Sequence, residues 1–475
     1  MLLTANKTKI VCTIGPASET VAVMKKMIHA GMNIARLNFS HGDFESHKRV
    51  INNLRSAASA SCRRLAIMAD LPGPKMRIGQ IGKEPIELKS GDTLTLTTEQ
   101  IIGTEDRVSV TFSRLPRAVA LNDRLFLNDG YIELEVTSVS GTDVTCRVVV
   151  GGELRSRKGL NLPGIDLGIG AFTDRDHEWL KFAMEQGVDA VSQSFVETGA
   201  DILAVRRAAA DMGHHPFIIA KIERSDALDH IDDILLAADG IMIARGDLGV
   251  EIPIETIAVT QKQIMDKANR LGKPVITATQ MLESMIKHRR PTRAEATDVA
   301  NAILDGTDGV MLSGESAMGK YPVESVEMLA KIAASIETHR PGYCLEETVK
   351  AYGGKAILKF TDLIALSVET TLTHTSPAAV MVPTKSGISA RNISRFRFPV
   401  WIAAISNSES TCQALQFSYG VFPEHVKEYP ENWRTFTKDW LRYHGLEGDL
   451  AVLTAGPSKK NPDANYSMEL IDLRR

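Results

Sequence analysis

The sequence predicts an α/β fold: a (β/α)8 barrel, interrupted by an inserted antiparallel β domain and followed by a C-terminal α/β domain. Three observations carry this. Short apolar runs alternate with amphipathic stretches over most of residues 1–340. One gap, from Pro72 to Lys158, is too long for a βα loop and switches to a period of two. After about residue 340 a further set of apolar runs begins.

Taken in order, the barrel runs are "KIVCTIG" (9–15), "NIARLNF" (33–39), "LAIMADL" (65–71), "AVSQSF" (190–195), "FIIAKIE" (217–223), "GIMIARGD" (240–247), "PVITATQ" (274–280) and "GVMLSGE" (309–315). They are brief, often β-branched, and bounded by Gly, Pro or polar residues, as parallel strands buried on both faces are. Between them, "ETIAVTQKQIMDKANRLGK" has helical spacing and meets Gly272 at its end. Ser18, Thr173 and Ser225 stand where N-caps belong. About eight such β/α units are the number that closes a parallel barrel. The insertion reads as "IELKSGDTLTLTT" and "RLFLNDGYIELEVTSVSGTDVTCRVVV", with Gly and Asp turns between strands. Beyond it, "TDLIALSVETTL", "AAVMVPTKSG", "ISARNISRF", "VWIAAIS" and "LAVLTAG" form the last unit. The expected divisions are 1–71 and 159–339 for the barrel, 72–158 for the insertion and 340–475 for the C-terminal domain.

At 475 residues the chain is too long for one compact core. With 44% hydrophobic and 24% charged residues, its composition is that of a globular protein. A net charge of -3 gives no general pull toward nucleic acid or an anionic membrane. Cys12, Cys62, Cys146, Cys344 and Cys412 are scattered without a CxxC pair, so neither zinc nor a disulfide framework is expected. The first residues turn polar too soon for a signal peptide, and no apolar run is long enough to span a bilayer. A reduced, cytoplasmic protein is expected.

In barrel enzymes the chemistry sits at the C-terminal ends of the strands. The unusual polar residues fall there: Arg36, Asn38, Ser40 and His41; Asp70; Ser194; Lys221 and Glu223; Arg245 and Asp247; Thr279; Ser313 and Glu315. Lys221 and Glu223 are two apart, so their side chains leave one strand face. Glu223 and Asp247, on neighbouring strands, suit Mg²⁺, which takes few protein oxygens and keeps several waters. Lys221 beside them adds a point charge, and the set favours a phosphorylated or enolate-like anion. Each residue taken alone has a plainer reading, Lys221–Glu223 as a structural ion pair and Thr279 as a core threonine. Those readings would all have to hold at one rim. "GESAMGK" (314–320) is no phosphate loop, because Tyr321 stands where Ser or Thr belongs.

With these residues in place, the chain resembles pyruvate kinase. The resemblance rests on "KTKIVCTIGPAS" (7–18), "GMNIARLNFSHG" (31–42), "GPKMR" (73–77), "RKGLNLPG" (157–164), "AKIE" (220–223), "DGIMIARGDLGVEIP" (239–253), "KPVITATQMLESM" (273–285), "PTRAEATDVANAILDGTDGVMLSGESAMGKYP" (291–322) and "TKSGISARNISRFR" (384–397). It implies a TIM barrel with a β lid and a C-terminal regulatory domain, usually in a homotetramer. It implies transfer of the phosphoryl group of phosphoenolpyruvate to ADP, giving pyruvate and ATP. Carried over by position, Glu223 and Asp247 hold Mg²⁺, with Mn²⁺ as an alternative. Lys221 holds the travelling phosphoryl, Arg36 clamps it, and the amides of Gly246 and Asp247 receive the substrate carboxylate. Thr279 delivers a proton to the enolate carbon, and Asn38, His41, Arg77 and Lys158 lie near the nucleotide. A phosphorylated effector would bind at Thr384, Ser386, Gly387 and Ser389, with Lys459 and Lys460 as auxiliary cations. Two departures stand out. Ser316 replaces a usual Thr, and residues 454–473 lack the glycine- and threonine-rich effector loop of many members.

"ADLPGPKMRIG" (69–79) departs in a third way. In members that require K⁺, the ion's ligands match Asn38, Ser40, Asp70 and position 71. A glutamate stands at position 75 in those members, with Thr at 71 and 78. Here Leu71, Lys75 and Ile78 occupy these places. A tethered ammonium on the stiff Pro72-Gly73-Pro74 arm, facing Asp70, would supply the monovalent charge, so K⁺ is not expected to be required. The rival reading is a metal-dependent aldolase or lyase that stabilises an enolate on the same barrel. It needs no nucleotide site and no lid of this size.

Overall fold

The computed structural model describes residues 3–340, 359–457 and 464–474. Eight parallel strands close into a barrel: Lys9–Thr13, Met32–Asn38, Ala66–Leu71, Ala190–Gln193, Phe217–Ile222, Gly240–Ala244, Val275–Ala278 and Gly309–Leu312, each beside its neighbour in sequence and the first beside the last. All eight expected strands are present. Their alternate residues divide two cores, as a period of two requires. Val11, Ile34, Met68, Ile219, Met242 and Ile276 fill the barrel interior, while Ile10, Ala35, Ile67 and Ile218 pack against the helices.

Most strands stop one to three residues short of the expected runs, and at two places a helix takes over. The sixth strand stops at Ala244, and Arg245, Gly246 and Asp247 open a short helix, Arg245–Glu251. The eighth stops at Leu312, and Glu315 lies in the helix Gly314–Ala317. Thr173 caps Asp174–Glu185 with a reciprocal capping box. Ser18 is not an N-cap: the helix Val21–Ala30 starts three residues later and Thr20 caps it. Ser225 stands at the N-cap of Asp226–Asp229 without a side-chain capping bond.

The insertion leaves the barrel after the third strand. It holds a six-stranded sheet and a two-stranded ribbon, Ile86–Leu88 with Gly152–Leu154. Its pairs are antiparallel except Thr93–Thr97 with Arg107–Ser109, which run parallel. Its apolar core runs from Met76 through Leu160, Leu162 and Leu167, past the expected end at Lys158. The two connecting chains are paired: Ile78 N donates to Lys158 O (2.9 Å) and Leu160 N to Met76 O (3.1 Å). The C-terminal sheet has four parallel strands, with Ser467–Asp472 added antiparallel at one edge. Its Phe417 closes the barrel floor, stacked on Phe217 with ring centroids 5.1 Å apart.

Candidate active site

Register builds the site. Asn38, Asp70 and Ser192 stand side by side on strands two, three and four. Buried Asp70 accepts from Arg36 Nε (2.8 Å) on one oxygen and from Ser192 Oγ (2.7 Å) on the other. Lys221 Nζ lies 3.5 Å from Asp70 and 2.8 Å from Glu223, and donates to Ser194 Oγ (2.7 Å). Arg36 also donates to Thr13 Oγ1 (2.9 Å). Two cations and two carboxylates thus share one desolvated network.

Their ionisation follows from it. Burial pushes Asp70 up, but the Lys221 and Arg36 charges and the Ser192 hydrogen bond hold it below the usual carboxylate range. Burial pulls Lys221 down, yet Asp70 and Glu223 raise it above an ordinary lysine, so it stays charged. Glu223 is raised, first by burial, with Lys221 opposing and the Asp247 charge adding to the shift. Its second oxygen accepts Phe195 N (2.8 Å). A small hard cation between Glu223 and Asp247 would relieve this repulsion. Among the described residues no three His, Cys, Asp or Glu side chains gather, so a bound cation would complete its shell from water and substrate.

The turn after strand seven carries strain. Thr279 has φ +70° and Gln280 +54°, a region β-branched residues avoid. It aims Thr279 Oγ1 at the sixth strand's turn, where it accepts Gly246 N (2.7 Å) and donates to Ala278 O (2.6 Å). The Gly246 amide, expected to face substrate, is therefore engaged by Thr279. Arg245 braces the same turn, donating to both oxygens of Asp298 (2.8 and 2.7 Å) and to Thr279 O (3.1 Å).

The Lys75 ammonium lies 3.3 Å from Asp247 Oδ1 and 6.0 Å from the Phe195 ring centroid. It pairs with Asp247, not with Asp70 as expected, because Asp70 is taken up by Arg36, Ser192 and Lys221. Buried Asp176 holds the arm that presents it, accepting Gly73 N (2.8 Å). Gly73 has φ +62°, and a Cβ there would come within 2.9 Å of Phe195. Leu71 is buried and its carbonyl accepts Ser194 Oγ (2.8 Å).

Asn38 Oδ1 accepts Ser40 N (3.1 Å), and Arg77 donates to Arg157 O (3.1 Å) where the lid joins. His41 is lowered by burial and then by Arg77, Arg36 and Lys75, so those cations face it. Lys158 contributes its carbonyl to the pairing of the two connecting chains. Glu315 proves to be a loop staple, accepting Leu282 N (3.0 Å) and Ser313 N (2.7 Å). In the C-terminal domain, Thr384 Oγ1 accepts Gly387 N (2.9 Å) and Ser386 O accepts Arg391 Nη2 (3.1 Å); Ser389 sits in the next helix, Ile388–Ser394. Lys459 and Lys460 lie outside the described residues. Sequence reasoning missed Ser192, Thr13, Phe195 and Asp176. Only the strand register could have shown Ser192 beside Asp70.

Residues 5–326 match the family profile of the pyruvate kinase barrel domain, and 362–468 that of the pyruvate kinase alpha/beta domain. A pyruvate kinase of Thermococcus litoralis is 50% identical over 426 residues, 89% of either chain. One from Geobacillus stearothermophilus is 43% identical over 461 residues, 95% of this chain and 77% of its own length. One from Bacillus licheniformis is 42% identical over 464 residues, 95% and 78%. The chain belongs to the pyruvate kinase family. It is accordingly a phosphotransferase, and neither comparison supports a lyase or aldolase on this barrel. No helix among the described residues is long and apolar enough to cross a membrane.

Proposed function

We propose that this mouth moves the phosphoryl group of phosphoenolpyruvate to the terminal phosphate oxygen of ADP, and that the buried network of Arg36, Asp70, Lys221 and Glu223 carries the chemistry. In that step the bond from phosphorus to the enol oxygen breaks and one to the ADP oxygen forms. The enolate left behind takes a proton at carbon and becomes pyruvate. Glu223 and Asp247 would hold a divalent ion, Mg²⁺ or alternatively Mn²⁺, which when bound would supply neutralisation of the negative charge that builds up in the reaction. Lys221 stays charged and follows the phosphoryl group, since Asp70 and Glu223 stabilise its proton. Arg36, fixed by Asp70 and Thr13, clamps the phosphate. Thr279 Oγ1 leaves Ala278 O and the Gly246 amide to deliver a proton to the enolate carbon, and that release frees the Gly246 donor for the substrate carboxylate. Asn38, His41, Arg77 and Lys158 receive the nucleotide, and the lid excludes water that would otherwise take the phosphoryl.

K⁺ is not required in this reading. Leu71 offers no hydroxyl ligand, and the Lys75 ammonium already stands at the mouth. A phosphorylated effector at Thr384, Ser386, Gly387 and Ser389, a homotetrameric assembly and a cytoplasmic location complete the proposal. A coupled assay with phosphoenolpyruvate, ADP and Mg²⁺ tests it, with and without ADP. ADP-dependent pyruvate release is the expected result; release of pyruvate without nucleotide would overturn the reading.

A further inference from the structure

A second concentration of positive charge lies far from the mouth, where the barrel floor meets the C-terminal domain. A small open cleft runs between the turn Gly272-Lys273-Pro274, which leads into strand seven, and the helix Ile388–Ser394. Lys273, Arg391, Arg395, Arg397, Asp308 and Ser418 line it. The cations are unevenly matched. Arg397 is neutralised by Asp308, which takes both its terminal nitrogens at 2.6 Å. Arg395 has Asp362 at 3.3 Å. Lys273 and Arg391 donate only to main-chain carbonyls, Lys273 to Ala238 (2.5 Å) and Arg391 to Ser386 (3.1 Å). Among the described residues neither has a carboxylate within ion-pair reach.

Asp239 is the one acid whose charge reaches both, and its carboxylate is already bonded to Arg206 and to Ile218 N (2.9 Å each). Lys273 is lowered by burial, with Asp239 opposing and the Arg391 and Arg206 charges adding, so the two cations repel across the cleft. Three polar atoms of the lining are buried without a hydrogen-bond partner among the described residues: Arg395 Nε, Arg397 Nε and Ser418 Oγ. Arg395 and Arg397 are 8% and 6% exposed, and Ser418 is fully buried. Buried donors without partners are rare in folded proteins and mark places that take a water or an ion.

We propose that this cleft binds an oxyanion, the phosphoryl group of a small phosphorylated metabolite, bridged between Lys273 of the barrel and Arg391 of the C-terminal domain. The deepest part has room for about one water-sized group, so a single phosphoryl oxygen enters and the remainder sits at the mouth. A dianion supplies the counter-charge that Lys273 and Arg391 lack, with the guanidinium giving directed donors and the ammonium a point charge. The site adjoins the hydroxyl loop at Thr384–Ser389, since Arg391 also donates to Ser386 O, but no residue of that loop lines it. Ser389 and Arg391 are two apart on one helix and do not face each other.

The test is calorimetric titration of inorganic phosphate into the full chain, with saturating phosphoenolpyruvate and Mg²⁺ and no ADP, so that the catalytic mouth is filled. One phosphate per chain is expected. Lys273→Met and Arg391→Met should each weaken it at least about tenfold, as loss of a charge-assisted contact does. Lys273→Arg should retain it, and Ser389→Glu should leave it unchanged. Turnover without phosphate should be the same in Lys273→Met, Arg391→Met and Lys273→Arg, which shows that they fold, and circular dichroism checks the fold of Ser389→Glu. Absence of binding to the wild type, or wild-type affinity in either Lys273→Met or Arg391→Met, would refute the site. So would loss of binding in Ser389→Glu with Lys273→Met unaffected, which would assign the phosphate to the hydroxyl loop.

Discussion

Lys221 sits between two acids and a hydroxyl, and that placement keeps a fully buried ammonium charged. Replacing it with Met removes the charge while leaving Asp70 bonded to Arg36 and Ser192. Turnover should fall by at least about 10²–10³, the usual cost of one preorganised charge at a reacting centre. Circular dichroism should show an intact fold, and near-native turnover would remove Lys221 from the chemistry. Lys75 is a different case, since it is about a quarter exposed and its partner is Asp247. A unit charge pair at about 4 Å with an effective dielectric near 20 is worth roughly 4 kcal/mol. An ammonium that acts on the closed complex is thus worth up to about 10³ in rate. We expect near-full activity with tetramethylammonium as the only monovalent cation. Strong activation by K⁺ would show that Lys75 does not replace the ion.

At the scale of elements, the barrel was legible because buried parallel strands leave a simple signature: short β-branched runs ending in polar residues. The ends themselves were less legible. "ARGD" reads as strand, yet the chain turns into a helix at Arg245, because Thr279 and Asp298 hold that turn from other elements. The sequence shows those partners as residues, not as neighbours. Ser192 escaped notice for the same reason, looking like one more small residue in a buried strand. The Lys75 partner was misread since the direction of the arm is set by Asp176, about a hundred residues away. Near the start of strand four, Asp189 gives a prediction of its own. It accepts Ile67 N (2.8 Å), and burial pushes it up to about 6. The folded protein therefore holds this proton over a range where the unfolded chain has lost it. Stability falls as pH rises from about 4 to 6, by about 3 kcal/mol in total. Asp189→Asn keeps an acceptor for Ile67 N and removes the titration. Urea unfolding across that window should show a flatter pH dependence in the variant, and an unchanged slope would rule Asp189 out as its source.

Over the whole molecule, three domains meet at two joints. The lid joins the barrel through the paired chains beside Lys75 and Arg77. It also approaches the rim, since a side chain at Gly130 would come within 3.2 Å of Val250 in the helix that carries Asp247. The second joint is polar at its centre. Asp308, just before strand eight, accepts both terminal nitrogens of Arg397 together with Val275 N (2.9 Å) and Tyr419 N (2.8 Å). Both side chains are about 95% or more buried. One carboxylate thereby ties two barrel strands to the C-terminal domain. A buried pair need not stabilise relative to an apolar one, but breaking it strands a charge. Arg397→Met leaves Asp308 with its two amide donors and no cation, so about 3–5 kcal/mol should be lost. Restoring neutrality in Arg397→Met/Asp308→Asn should recover part of it, because the amide oxygen still accepts from Val275 N or Tyr419 N. Chemical denaturation of the wild type, the single variant and the double variant measures both differences. If the single variant unfolds like the wild type, the joint is not held by this pair and the apolar stack alone carries the contact between the domains.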